Sequence, residues 1–251
     1  MAPLSVETIL LVVAIFAGSM LQRVTGMGFA LVAAPFIVLI AGPLTGVILV
    51  NVCSVLTAAT VLLRVYRAVE WKKFALLVPA AAVGILPGAL TVQNVPAPWL
   101  EIGIGTVVIA GLATAPLFRP AAPQTGTGPL LAAGSVSGFM NATAGVGGPA
   151  LSVYALSTRW EQSAFAATMQ PYFLVIGIGS VAAKLLAKPS SAPTLDLWAW
   201  VAICAAILSG LGAGELLARY TGVQTARRLM LVLAYLGSAA TISRGLLALV
   251  A

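Results

Sequence analysis

"NATAGVGGPA", Asn141–Ala150, lies between two strongly apolar stretches and contains almost nothing that favours a helix interior. Glycine costs a helix about 1 kcal/mol relative to alanine, and Asn and Thr bond to local backbone instead of continuing the helix. Pro149 stands where a helix restarts best, in a first turn that needs no N–H from it. The stretch therefore reads as a break between two half-helices. Hydrocarbon offers no water to broken backbone, so a break survives in a membrane only beside protein or a wet cavity.

The surrounding composition makes the membrane reading necessary. Of 251 residues, 61% are hydrophobic and 8% charged, with a mean hydropathy of +1.08. Soluble domains are about 25% charged, so this chain cannot cover itself in water. Its N-terminus lacks a basic start and a small-residue cleavage site, so the first apolar run reads as a working segment. The runs Pro43–Leu63, Phe74–Val92, Leu100–Phe118, Glu161–Leu186, Leu197–Leu217 and Leu229–Val250 are each long enough to span a bilayer, which takes about 20 residues. Glu7–Ala41 is interrupted at "QRVTGMG" (Gln22–Gly28), and Pro129–Leu156 at Asn141–Gly148. Their pieces, about 12 to 16 residues each, are the length of re-entrant segments.

The interruptions are related. An offset of 119 positions places Gly26 on Gly145, Gly28 on Gly147, Gln22 on Asn141 and Asn51 on Gln170. An offset of 126 then places Gly84 and Gly88 on Gly210 and Gly214. The order is a broken pair and three long runs, repeated. Basic residues mark cytoplasmic loops. They gather at Arg64, Arg67, Lys72 and Lys73 in the first half, but one connection later, at Arg219, Arg227 and Arg228, in the second. The matching loop there holds only Lys184, Lys188 and Asp196. The fold class expected is thus an all-α polytopic membrane protein of two inverted-topology repeats, each a broken or re-entrant helix pair plus three transmembrane helices. The first repeat is 1–118, the linker 119–128 and the second repeat 129–251, with both termini outside. Inverted repeats with broken helices near the midplane are a transporter architecture.

A half-helix that restarts at a glycine aims free N–H groups, with the positive dipole end behind them, at one spot. The backbone amides of Gly28, Phe29, Gly147 and Gly148 are candidate anion donors. Gln22, Arg23, Thr25, Asn141 and Thr143 stand in or beside the breaks, and Asn51, Gln170 and Tyr172 on the long helices that follow. Other readings stand beside this one. The glycines also suit tight helix packing, and Asn51 and Gln170 suit interhelical hydrogen bonds. Arg23 lies deep if the first pair is re-entrant and in a loop if the pair crosses fully.

Several classes fall away. There is no His, and Cys53 and Cys204 are far apart in apolar runs, so no metal site and no cofactor is expected. The +7 charge sits near helix ends and indicates no nucleic-acid partner. All six acids lie near predicted ends, so no carboxylate is expected at depth. That argues against a membrane enzyme, which needs a buried acid, base or nucleophile, and against a protein-borne proton relay. An anion channel using the same donors stays open.

"GFMNATAGVGGPALSVYAL" (Gly138–Leu156) and its weaker echo "GSMLQRVTGMGFALVAAPFIV" (Gly18–Val38) resemble the paired signature of the TauE/SafE family of sulfite-exporter-type permeases. The first signature departs from the pattern at Phe29, where a second glycine is usual. The resemblance covers nearly the whole chain. It implies secondary transport of a small anion such as sulfite, sulfoacetate, another organosulfonate or a small carboxylate, in the bacterial inner membrane. The partners it implies are that anion and the lipid bilayer; homo-oligomerisation is left open.

Overall fold

The computed structural model describes residues 5–26, 28–114, 126–220 and 223–250, and among them there are helices and no strands. In chain order the helices are α1 (Val6–Thr25), α2 (Gly28–Ala41), α3 (Pro43–Val65), α4 (Trp71–Asn94), α5 (Ala97–Thr114), α6 (Thr127–Ala144), α7 (Gly148–Thr158), α8 (Gln162–Ala187), α9 (Leu197–Tyr220) and α10 (Val223–Val250). Short 3₁₀ turns at Tyr66–Ala68 and Pro189–Ser191 join α3 to α4 and α8 to α9. Among the described residues, six segments are long and apolar enough to cross a membrane: Val6–Thr25, Pro43–Ala68, Trp71–Asn94, Gln162–Ala187, Leu197–Tyr220 and Gln224–Val250. Large apolar side chains such as Val83, Leu86, Leu208 and Leu236 face outward on them, as lipid-facing surfaces require.

The helix ends follow local chemistry. Ser5 caps α1 through its hydroxyl, which accepts from Thr8 N–H at 3.2 Å. Glu161 caps α8, accepting from the Ser163 and Ala164 amides. The Ser163 hydroxyl, with these two amides, holds its carboxyl below the usual carboxylate range. Asp196 caps α9, accepting from Ala199 N–H at 2.8 Å. At the Arg64 end, Trp160 Nε1 donates to Glu70 at 2.5 Å, and Lys73 pairs with Glu70 at 2.9 Å. This cluster ties the α7–α8 corner to the start of α4.

Helix packing is set by glycines at close approach. A Cβ on Gly84 would stand 1.9 Å from the Ser135 carbonyl oxygen, and one on Gly88 2.7 Å from Ala142 Cβ, so α4 and α6 touch backbone to backbone. Likewise, Gly210 approaches the Phe16 carbonyl and Gly214 the Met20 carbonyl, which joins α9 to α1. Without a hydrophobic drive between helices in lipid, such small-residue contacts carry association. Gly84→Ala is expected to lower the melting temperature in detergent, since overpacking costs about 1–3 kcal/mol. Gly103→Ala, where a Cβ meets nothing within 4 Å, is the control. Equal melting of the two variants would contradict the close α4–α6 contact.

Three expectations are corrected. First, the N-terminal limbs of the broken pairs are longer than the sequence suggested: α1 has 20 residues and α6 has 18. The polar residues do not interrupt them. The Gly26 N–H still bonds Gln22 O at 2.8 Å, and the Gly145 N–H bonds Asn141 O at 2.9 Å. Each helix stops only where a glycine turns left-handed, Gly26 at φ 86° and Gly145 at φ 73°. Second, Lys184 is not a loop residue; it lies within α8 and is fully buried. Third, Glu101 is a buried acid, 4% exposed, although it lies near the start of α5. It is held there by Arg244 of α10. α6 begins at Thr127, and positions 119–125 of the expected linker 119–128 lie outside the described residues.

Candidate functional site

Both breaks open onto one small cavity. Its walls include Gln22, Phe29, Ala30 and Leu31 from the first pair and Asn141 and Gly145–Gly148 from the second, with Ser54 of α3 and Phe173 of α8. The two breaks, more than a hundred residues apart in sequence, are neighbours in space because α3 and α8 pass between and beside them. Gly145 stands against Val50 of α3, and Gly26 against Ala166 of α8. The volume is about 30 Å³, room for roughly two water molecules. A larger cavity of about 450 Å³ lies on the flanks of both breaks, reaching Thr25, Pro149, Ser152, Trp160, Gln162 and Arg227. That is a common size for a small-molecule site.

The restart residues are placed as the sequence suggested. Gly28 opens α2 and Gly148 opens α7, with Pro149 in the first turn. Gly147 is the N-cap of α7, and its carbonyl accepts from Ser137 at 2.8 Å. Phe29 is buried and forms part of the cavity wall.

The polar side chains divide into three groups. Gln22, Gln170, Asn51 and Asn141 are all buried and join the two halves. Gln22 Nε2 donates to Gln170 Oε1 at 3.5 Å, and Gln170 Nε2 donates to Gly26 O at 3.4 Å. Asn51 Nδ2 donates to Asn141 O at 3.4 Å and to Ser180 Oγ at 3.1 Å. Asn51 Oδ1, Asn141 Oδ1 and Ser54 Oγ are buried without a hydrogen-bond partner among the described residues. An unmet buried polar group costs about 1–3 kcal/mol, and two of these three residues line the cavity. Turned over, an amide offers its NH₂ in place of its oxygen.

Thr25 and Thr143 spend their hydroxyls on their own helices, donating to Leu21 O and Phe139 O at 2.8 Å each. Arg23 and Tyr172 point elsewhere. Arg23 has a protein counterion, Glu215 of α9, at 3.4 Å, and Glu215 also takes Arg64 at 2.7 Å. Tyr172 is packed with Leu77, Ala81 and Phe165, its hydroxyl donating to Gly134 O at 3.4 Å. Neither lines the small cavity.

Ser137, Phe173, Ser180 and Lys184 also stand at or behind the site, and the sequence alone does not single them out. Ser180 and Lys184 stand one turn apart on α8, and Lys184 Nζ donates to Ser180 Oγ at 2.6 Å. The polar pair inside an apolar run was the available signal. It was lost because Lys184 sits close to the end of its run and reads as a loop cation.

A family model described as "Sulfite exporter TauE/SafE" matches residues 10–241. No curated protein and no solved structure matches the chain.

Proposed function

The chain belongs to the sulfite exporter TauE/SafE family, and on that premise we propose that it is a secondary transporter moving a small sulfur oxyanion, sulfite, sulfoacetate or another organosulfonate, across the bacterial inner membrane by alternating access. It is a multi-pass membrane protein of a transporter family, not of an enzyme family. The observation that carries the reading is the convergence of both glycine breaks on one cavity with buried, unpartnered polar side chains. In this reading the Gly28, Phe29, Gly147 and Gly148 amides hold the anion's oxygens. Asn141, Gln22, Asn51 and Gln170 supply or orient further hydrogen bonds. The 450 Å³ cavity is the vestibule. The tight volume at the breaks favours a carrier over a channel, because a channel keeps a continuous wet path.

Alternating access in this proposal comes from two inverted repeats, 1–118 and 129–251. What supports them is a reciprocal exchange of contacts. Gly84 meets Ser135 and Phe139; Gly210, 126 positions on, meets Phe16 and Met20, each 119 positions back. A twofold axis produces such an exchange, since each repeat then packs its long helix on the other's broken pair. The repeats on this reading are not independent folding units.

The test is a thermal-shift panel of the purified protein against sulfite, sulfate, thiosulfate, sulfoacetate, taurine and small carboxylates. One anion of the sulfur class is expected to stabilise. Asn141→Ala and Gln170→Ala are expected to weaken it about 10–100-fold, the worth of one hydrogen bond to a charged ligand, with the fold retained. A ligand that is a carboxylate changes the substrate class. Unchanged affinity in both variants refutes the pocket.

A further inference from the structure

We infer that Lys184 supplies the positive charge that balances the transported anion. The inference rests on the site proposed above. Arg23, the obvious cation beside a break, shares the Glu215 carboxylate with Arg64, is 37% exposed on its side chain and does not line the small cavity. Lys184 is fully buried, and its ammonium has one hydrogen-bond partner among the described residues, the Ser180 hydroxyl. That hydroxyl also accepts from Asn51, whose amide touches the Asn141 carbonyl at the second break. The charge therefore stands directly behind the polar layer of the site, one hydroxyl from Asn51.

None of the six acidic side chains, all among the described residues, pairs with it. Of the six acids, Glu70 pairs with Lys73 and Trp160, Glu101 with Arg244, and Glu215 with Arg23 and Arg64. Glu161 and Asp196 cap α8 and α9, and Glu7 is exposed in the first turn of α1. The elements packed most closely on α8 are α3, α4, α6 and the two 3₁₀ turns. They contain no acid, and their only cations are Arg64, Arg67, Lys72 and Lys73. Those lie toward the opposite end of α8, where Thr168 accepts from the Glu70 amide. Sixteen residues of helix separate Thr168 from Lys184, about 24 Å at 1.5 Å per residue. A cation enclosed by protein with no anion beside it is costly to hold. Charges enclosed by protein are screened less than exposed ones, so an anion arriving at the cavity offsets part of that cost. The lysine is a binding residue that acts through charge and not through contact.

Purified wild type, Lys184→Met, Lys184→Arg and Asn141→Ala are titrated with sulfite by thermal shift, each first melted without anion. Lys184→Met is expected to melt at or above wild type without sulfite, because an unpaired buried charge has been replaced by an apolar chain of similar length. Its sulfite affinity falls tenfold or more, while Lys184→Arg keeps most of it. A structural lysine predicts the reverse signature: a lower melting temperature and unchanged affinity. Lys184→Met that fails to fold, melts lower, or binds sulfite like wild type while Asn141→Ala does not, overturns the inference and leaves the site standing. Loss in neither Lys184→Met nor Asn141→Ala overturns the site itself. Lys184→Gln, which keeps a hydrogen-bond donor but no charge, must follow the methionine variant; affinity like wild type in it also overturns the inference.

Discussion

Gly145→Val is expected to abolish anion binding and transport. Gly145 ends α6 at φ 73°, a conformation that costs an L-residue about 1–2 kcal/mol and a β-branched one more. A Cβ there would stand 2.7 Å from Val50 Cγ1 and 3.1 Å from Val50 Cβ, in the middle of α3. Overpacking of that kind adds about 1–3 kcal/mol. The chain has two ways to relieve this. It can straighten α6 beyond Ala144, which destroys the restart at Gly148, or it can push α3 away, which moves Asn51 off the Asn141 carbonyl. Both routes dismantle the cavity. Gly26→Ala is the graded comparison: φ is 86°, but the nearest atom to a Cβ is Ala166 Cβ at 3.2 Å, so the strain there is mostly backbone. Gly212→Ala, in the open on α9, should melt within about 0.5 kcal/mol of wild type. Sulfite flux into proteoliposomes at matched protein content measures the effect. Wild-type flux in Gly145→Val would show that the left-handed turn is dispensable and that the cavity is not the site.

The breaks were legible because their signal is local. Glycine clustered with Asn, Thr and Pro in an apolar chain has few other readings, and positive φ at Gly26 and Gly145 follows from that chemistry. The glycines of α4 and α9 were legible as a repeat but not as contacts. Offsets of 119 and 126 aligned Gly84 with Gly210 without saying that each would press on the other half's broken pair. What stayed hidden was pairing at a distance. Whether Arg23 meets water, an anion or Glu215 depends on where α9 lies, and residue 215 is far from residue 23 in sequence. Lys184 and Glu101 show the same limit. Each lies close enough to a run end to read as a solvated charge, because distance from a helix end is a poor measure of burial where neighbouring helices extend further. The lengths of α1 and α6 exceed the expected pieces for a different reason. Val24, Thr25, Asn141 and Thr143 are weak helix formers, yet each final turn keeps its backbone hydrogen bonds because leaving them unmade in an apolar surrounding costs more than propensity does.

Arg244→Met is expected to give the largest loss of stability in the chain, about 3–5 kcal/mol, the cost of breaking a buried ion pair from one side. The Glu101 carboxylate is enclosed between α5 and α10 and has the Arg244 guanidinium as its counterion, with Nε donating at 2.9 Å and one terminal nitrogen closer still. The same guanidinium donates to the Leu39 carbonyl and, at 3.5 Å, to the Val38 carbonyl. Those carbonyls belong to the last turn of α2, which has no following turn to bond them. One side chain therefore closes three helices and fixes the far end of the half-helix whose near end opens at the first break. Removing it leaves a buried carboxylate and orphaned carbonyls in an apolar surrounding. Glu101→Gln is expected to cost less, since an amide still accepts from the guanidinium and the remaining positive charge is 40% exposed on its side chain. The double variant Glu101→Leu, Arg244→Met should recover most of the stability lost in Arg244→Met, because apolar packing commonly replaces a buried pair at little cost. Thermal melts of wild type, Arg244→Met, Glu101→Leu and the double variant in one detergent form a closed cycle, with Glu101→Gln melted alongside. If the double variant melts no higher than Arg244→Met, the loss comes from the α2 carbonyls and not from the stranded carboxylate, and the ion pair is not what holds α5 to α10.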